Sequence, residues 1–473
     1  MNIFNQLALL ISSAYLALIP TTKYVEGVVG QPRSFLPSQT QTQADKTIST
    51  LIFRGLFKYD IYGVLIPDLA ETWTISEDGL SYTIKIKDNQ HWSDGSKITS
   101  DDLIYSAFKT PDLVGVATDR VDDLTVKYTL PNKFSPFLDM LTIGVMKHGE
   151  EEAKHPLNPI SNGKFKVLRV ERSGPAVNSV VLYNTDPNDD IKKLVFKYYV
   201  NEEELYIGAK LGEVDGFIAN KDYELPNFNE YKFPLQGVYY ALYFNLQNDK
   251  LKDVEFRNKL AETLPISNMI ETYGILAQGP VSRSVFTENS LAFDKFNKDF
   301  VDEAIAQTIT ITVPDIKQHV EMVEKVKDIW EDKLGLTINI NKVDPTKFNE
   351  EIIKDRNFEV LFYGQEISRD PDRYINWHST QKDAPGLNLS GFDGVRADRA
   401  LEEGRKEIDN TKRMTHYYEF QKTIMDQAPA VFLYHPFAKY YVSKYITGIG
   451  EKYTFTITDR FLDFFNWQRT KII

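Results

Sequence analysis

Between Leu51 and Phe108 the chain sets out, in a fixed order, a strand framed by two turns and then a capped helix. Tyr82, Ile84 and Ile86 alternate with Thr83, Lys85 and Lys87, the period of a strand that buries one face. Glu77-Asp78-Gly79 precedes it as a turn in which Gly79 is free to take a positive φ, and Ser93-Asp94-Gly95 makes a second turn. Thr99 then stands at a helix N-cap with Asp102 three residues on. Leu103, Ile104, Ala107 and Phe108 follow on one helical face. A period of two cannot be folded as helix, nor a capped 3.6-residue period as strand, so this stretch reads as a small α+β unit.

At 473 residues the chain exceeds what one core holds, and two or three lobes are expected. A hydrophobic content of 42%, with 13% aromatic, excludes a disordered chain. The net charge of −12 argues against nucleic acid as a partner. It is compatible with a cationic ligand, but solubility alone accounts for it. There is no cysteine, which removes disulfides, thiolate metal sites and thiol nucleophiles together.

Leu7 to Ile19 is an apolar run of 13 residues interrupted only by Ser12 and Ser13, a length that suits a signal-peptide core. The preceding MNIFNQ carries no lysine or arginine, and no small-x-small cleavage site follows before Pro20. Residues 1–21 are therefore expected to be a signal or anchor segment, with an uncleaved membrane anchor preferred and the body exported. No later segment is apolar enough to span a bilayer.

The second half has a different grammar. Tyr239 to Leu246 is a buried-strand run, and Thr308 to Val313 alternates as a strand. Ile316, Val320, Val323, Val326 and Trp330 recur at helical spacing, and Leu336 to Ile340 is another strand. A helix with Phe348, Ile352 and Ile353 inward precedes the strand Phe358 to Tyr363. Strand, helix, strand, helix, strand is the pattern of a parallel sheet.

Leu56-Phe57, Pro67 to Trp73, Asp78-Gly79, Tyr82-Thr83, Trp92 to Gly95 and Thr99 to Asp102 stand together in one register. That register closely resembles the N-terminal signature of the peptide/nickel class (family 5) of extracytoplasmic solute-binding proteins, the receptors that feed ABC importers. Later stretches resemble the same family: Asn158 to Val167, Gly208 to Asp215, Asp253 to Leu260, Asp409 to Tyr418 and Gln427 to Tyr434. The resemblance implies an α/β chain with the two-lobed type II (Venus-flytrap) periplasmic-binding-protein fold and an α+β subdomain inserted in lobe one. Lobe one would take residues 22–48, 160–235 and 436–473, the inserted subdomain 49–159, and lobe two 236–435. The lipid-attachment cysteine of many relatives is missing here.

In such receptors a peptide lies in the cleft as an added strand, and lobe closure captures it. Two segments correspond to that clamp. One is Gln31, Pro32, Arg33 and Ser34 in lobe one. The other runs from Tyr363, Gly364, Gln365 and Glu366 to Asp370 in lobe two. Peptide-binding relatives place an ammonium-binding aspartate four residues before the proline, and here that position is Ile367. Glu366 or Asp370 is left to take that role, although Glu366 in a regular strand points to the opposite face. Asp370-Pro371-Asp372 reads as a turn and helix N-cap rather than a metal site. Trp377 lines the cleft or belongs to the lobe-two core, and His378 reads as a satisfied surface histidine.

Seven histidines (91, 148, 155, 319, 378, 416 and 435) are scattered without helical pairing, so no direct metal site and no cofactor is expected. His148 and His155 share a Pro-rich loop read as exposed linkage. No catalytic motif is present, and the chain is read as a non-enzyme. The expectation is a monomeric extracytoplasmic receptor that captures peptides and presents them to the permease subunits of an ABC importer. A receptor for a carbohydrate or metal chelate, or a ligand sensor on the same fold, remains the alternative.

Overall fold

The computed structural model describes residues 22–149, 155–281, 295–301 and 304–470, so the expected segment 1–21 lies outside the described residues. The chain divides into two compact units. Unit 1 takes the chain up to Asn132, Phe137–Phe233 and everything from Ala438 on; unit 2 takes Lys133–Pro136 and Pro234–Phe437.

Unit 1 opens with β1 (Lys23–Val29) and α1 (Gln43–Ile52), a helix closed at its start by a Thr42/Asp45 capping box. The block that opens the sequence argument then supplies the first two strands of a four-stranded antiparallel sheet. Its strands are β2 (Ala70–Ile75), β3 (Ser81–Ile86), β4 (Ala117–Arg120) and β5 (Thr125–Thr129), in spatial order β2-β3-β5-β4. Tyr82, Ile84 and Ile86 are buried as their alternation requires, and Gly79 takes φ +70° in the turn.

The helix α2 (Ser100–Lys109) covers this sheet. Asp102 anchors it by accepting from the backbone N–H of Thr99 (2.8 Å), the backbone N–H of His148 (2.8 Å) and Trp92 Nε1 (3.2 Å). The apolar face differs from the expected one at Phe108, which is 82% exposed. Phe108 lies about 140° around the helix from Leu103. The inward arc is instead centred on Asp102, Leu103, Ser106 and Ala107, because the Ser106 hydroxyl must accept the N–H of Met146 at 2.7 Å.

The rest of unit 1 comprises β6 (Phe165–Ser173), β7 (Ala176–Asn184), β8 (Lys193–Tyr199), the helix α3 (Glu202–Lys210) and β9 (Gly216–Ala219). β1 runs parallel to both β8 and β9, and α3 packs on it through Leu205 and Ala209. The C-terminal residues are fastened here by a buried ion pair, Arg460 to Glu26 at 2.9 Å. The other Glu26 oxygen accepts from Tyr440 at 2.8 Å.

Unit 2 contains β10 (Val238–Phe244), α4 (Val254–Glu262), β11 (Thr308–Pro314), α5 (Lys317–Leu334), β12 (Thr337–Val343) and β13 (Val360–Glu366). β11 is parallel to β12 and β13, as the strand-helix-strand pattern requires, and β10 runs antiparallel to β13. α5 buries Val320, Val323, Val326, Trp330 and Leu334 against Ile309, Ile311 and Ile338, each side chain contributing about 1.5–3 kcal/mol. Ile316 departs from the expected stripe: it is the N-cap of α5 and 40% exposed. The expected helix around Ile352 is a single π-helical turn, Asn349–Ile353, although Phe348, Ile352 and Ile353 are buried as anticipated.

One short and three long elements follow in unit 2 and lead out of it: α6 (Tyr374–Trp377), α7 (Val395–Lys406), α8 (Asn410–Gln427) and β14 (Ala430–Ser443). Residues 430–434 of β14 pair with β10, and residues 439–442 pair with β9. Among the described residues no helix is long and apolar enough to cross a membrane.

Candidate functional site

The candidate residues of unit 1 follow directly on β1. The Gln31 side chain is bonded along β7, accepting from the Val177 N–H at 2.7 Å and donating to the Val177 carbonyl at 3.1 Å. Pro32 is buried and Arg33 exposed, with the Arg33 guanidinium donating to Gln41 at 3.1 Å. Ser34 is buried and bonded locally to Gln39 and to the N–H of Leu36.

In unit 2 the candidate residues lie along β13 and in the segment after its carboxyl end, the end at which open α/β sheets bind ligands. Strand alternation sorts them. Gly364 turns toward Tyr240, whose ring would lie 2.7 Å from any Cβ placed there. That ring stacks with Phe362 (5.5 Å) and Tyr434 (4.9 Å), so the glycine admits an aromatic stack. Tyr363 stacks on Phe348 at 5.6 Å. Gln365 is buried; its Oε1 accepts from Tyr239 (2.7 Å) and Tyr243 (3.1 Å), and its Nε2 donates to the Leu387 carbonyl (2.8 Å). Glu366 is exposed at the strand end, and Ile367 continues the pairing by donating its N–H to the Gly237 carbonyl at 2.9 Å.

Asp370 corrects the expectation that it takes a ligand ammonium. It is 4% exposed, and Arg413 reaches both of its oxygens, at 2.6 and 2.7 Å. Its Oδ1 also accepts the Asp372 N–H at 2.8 Å, closing the expected turn. Burial alone would push the Arg413 guanidinium down, but the charge of Asp370 outweighs it and holds the group above its ordinary pKa. The carboxylate is thus the counter-ion of a helix α8 arginine. Asp372 behaves similarly: one oxygen accepts the Tyr374 N–H at 3.0 Å, and the other takes Arg405 at 2.5 Å. Arg405 itself lies 4.2 Å from the centre of the Tyr374 ring and 5.2 Å from that of Phe134.

Trp377 resolves to the core reading: it is 1% exposed, and its Nε1 donates to the Tyr239 hydroxyl at 3.2 Å. Burial pushes the Tyr239 phenol up to about 12, so it stays a neutral donor and acceptor. His378 is also buried rather than on the surface. It stacks on Tyr374 at 4.0 Å between Thr380 and Glu402 partners.

Arg373 escaped the sequence reading. It is wholly buried, and its Nε donates to the Pro280 carbonyl at 2.8 Å. Its Nη1 donates to the carbonyls of Asp370 (2.6 Å) and Asp372 (3.1 Å), whereas Nη2 meets no acceptor among the described residues. Burial holds its guanidinium below the usual arginine range despite Tyr239, Asp370 and Asp372 nearby. Nothing in a lone arginine after Asp-Pro-Asp announces this. For Arg413 a signal existed, since Arg413 and Tyr417 are one helical turn apart and bond at 3.3 Å. Among the described residues no group of three or more His, Asp or Glu side chains is placed to hold a metal ion.

The family model for the bacterial extracellular solute-binding proteins, family 5, matches residues 64–386, which is more than half of the chain. The chain belongs to this family. Among curated relatives, the probable D,D-dipeptide-binding periplasmic protein DdpA of Escherichia coli is 22% identical, covering 91% of this chain and 92% of its own. Among solved structures, the ABC transporter substrate-binding protein CtaP of Listeria monocytogenes superposes with a TM-score of 0.79 at 21% identity. The match covers 95% of this chain and all of that one. NikZ of Campylobacter jejuni, solved with Ni(L-His), gives a TM-score of 0.71 at 22% identity over the same shares. The fold of this family 5 protein is accordingly the two-lobed type II binding-protein fold, and the sheet β2–β5 with α2 forms its additional α+β subdomain.

Proposed function

We propose that this family 5 protein captures peptides outside the cytoplasm by lobe closure and delivers them to the permease subunits of an ABC importer. The observation that carries the reading is the family match over residues 64–386, joined by a relative named for D,D-dipeptide binding that aligns over 91% of the chain. The candidate contacts are Gln31, Pro32, Arg33 and Ser34 in one unit, and Tyr363, Gly364 and Glu366 in the other. Gln365, Asp370 and Trp377 support that second set from beneath, since their polar atoms already have protein partners. In this reading residues 1–21 tether the protein to the membrane, which fractionation of the full chain against a 22–473 truncation tests. Isothermal titration with peptides of two to eight residues tests the cargo. Saturable heat at micromolar concentration is expected, and none at any length removes peptides from the reading.

A chelated metal is the second reading, favoured by the fold shared with a protein solved with Ni(L-His). With no cluster of protein metal ligands among the described residues, the small chelator would supply the metal's ligands. Native mass spectrometry of the purified protein separates the two readings by the mass of any retained cargo.

A further inference from the structure

The segment Ser368–Trp377, at the carboxyl end of β13, has hydrogen-bonding capacity that no protein group among the described residues uses, and on Arg373 and Asn376 that capacity is donor capacity. Its two aspartates are matched one to one, Asp370 with Arg413 and Asp372 with Arg405. Of the segment's two arginines, Arg373 is the wholly buried one, and neither aspartate carboxylate accepts from it. Its bonds run to neutral oxygens only, and its Nη2 is buried without an acceptor. One helical turn on, Asn376 is 3% exposed and its Nδ2 also lacks an acceptor. Donors of this kind on two residues as deeply buried as Arg373 and Asn376, one of them charged, are costly unless something completes them.

Resting on the reading of this chain as a cargo receptor, we propose that this segment receives an oxyanion, a carboxylate of the cargo in the first instance, through Arg373 and Asn376. The polarity is opposite to that of an ammonium-binding site. With Nε and Nη1 committed to protein oxygens, Nη2 offers the N–H donors of a charged group to an oxyanion, and the Asn376 Nδ2 adds a donor from the same turn. Asp370 and Asp372 cannot answer a ligand ammonium without giving up Arg413 and Arg405. Because Arg373 is closed to solvent, the anion enters with a displacement of Ser368–Trp377, and its arrival protects the amides of this segment from exchange.

The test is a titration of the full chain with a mixed tetrapeptide library in three forms: both ends free, N-acetylated, and C-amidated. Acetate and phosphate are titrated separately, and hydrogen exchange of 368–377 is read in every arm. Amidation is expected to weaken binding about 30-fold and acetylation less than about threefold, the scale of one charge-assisted contact to a desolvated group. Arg373→Lys should abolish the difference between the free and amidated libraries. Should it not fold, Asn376→Ser is expected to shrink that difference to within about tenfold. The reverse order, with acetylation harmful and amidation tolerated, overturns the inference and leaves the peptide reading intact. If no peptide binds but acetate or phosphate saturates and protects 368–377, the oxyanion site stands with a free anion as its source, and the peptide reading fails. If neither peptide nor anion protects the segment, the inference is overturned.

Discussion

Replacing Asp370 by asparagine separates a structural role from a ligand-binding one. The wild-type carboxylate accepts two charge-assisted bonds from Arg413, at 2.6 and 2.7 Å, with both side chains 3% exposed. Asparagine keeps the shape and the Oδ1 acceptor for the Asp372 N–H, but it leaves a buried guanidinium without a countercharge. Removing one partner of such a pair costs about 3–5 kcal/mol. Arg413 retains its bonds to the Gly404 carbonyl and Tyr417, which places the expected loss near the lower end, about 3 kcal/mol. Urea unfolding followed by tryptophan fluorescence reads it, since Trp330 and Trp377 both report on unit 2. The double variant Asp370→Asn/Arg413→Met should recover at least about 1 kcal/mol, because it removes the orphaned charge as well. A stability loss below about 1 kcal/mol, with peptide affinity reduced at the same time, would refute the argument and return Asp370 to the ligand.

Three further outcomes are expected. His319 packs against Tyr240 and Phe362, and burial lowers its pKa to about 4. Between pH 6.5 and 4 the unfolded chain therefore binds the extra proton, so this contribution to stability is full above pH 6.5 and is lost as pH falls toward 4. Allowing for partial exposure it is worth about 2 kcal/mol, and His319→Phe should flatten the unfolding midpoint across that window. Gly364→Ala forces a Cβ into the Tyr240 ring and should destabilise by about 1–3 kcal/mol in the same urea assay, with thermal melting as a check. In α2, Thr99→Ala should cost about 1 kcal/mol. Asp102→Ala should cost more, about 2–3 kcal/mol, because Trp92 and the His148 amide lose their acceptor with it. Equal losses for the two would contradict the anchoring role given to Asp102.

The sequence by itself determined which stretches are strands, turns and helices wherever period and capping agree. Tyr82-Ile84-Ile86, Thr99 with Asp102, and the α5 stripe from Val320 to Leu334 are local patterns, set by backbone geometry within a few residues, and they also placed the chain in its family. It could not assign Phe108, because the inward face of α2 is chosen by the Met146 N–H, which lies far along the chain and needs the Ser106 hydroxyl. The same limit governed the candidate site. Asp370 reads as an available carboxylate until helix α8 brings Arg413 against it across 43 positions of sequence, and Trp377 reads equally as cleft or core until Tyr239 takes its N–H. Burial and pairing of polar groups are decided by partners remote in sequence. Only the tertiary structure could therefore sort the committed charges of Asp370 and Asp372 from Arg373, whose Nη2 is buried without an acceptor among the described residues.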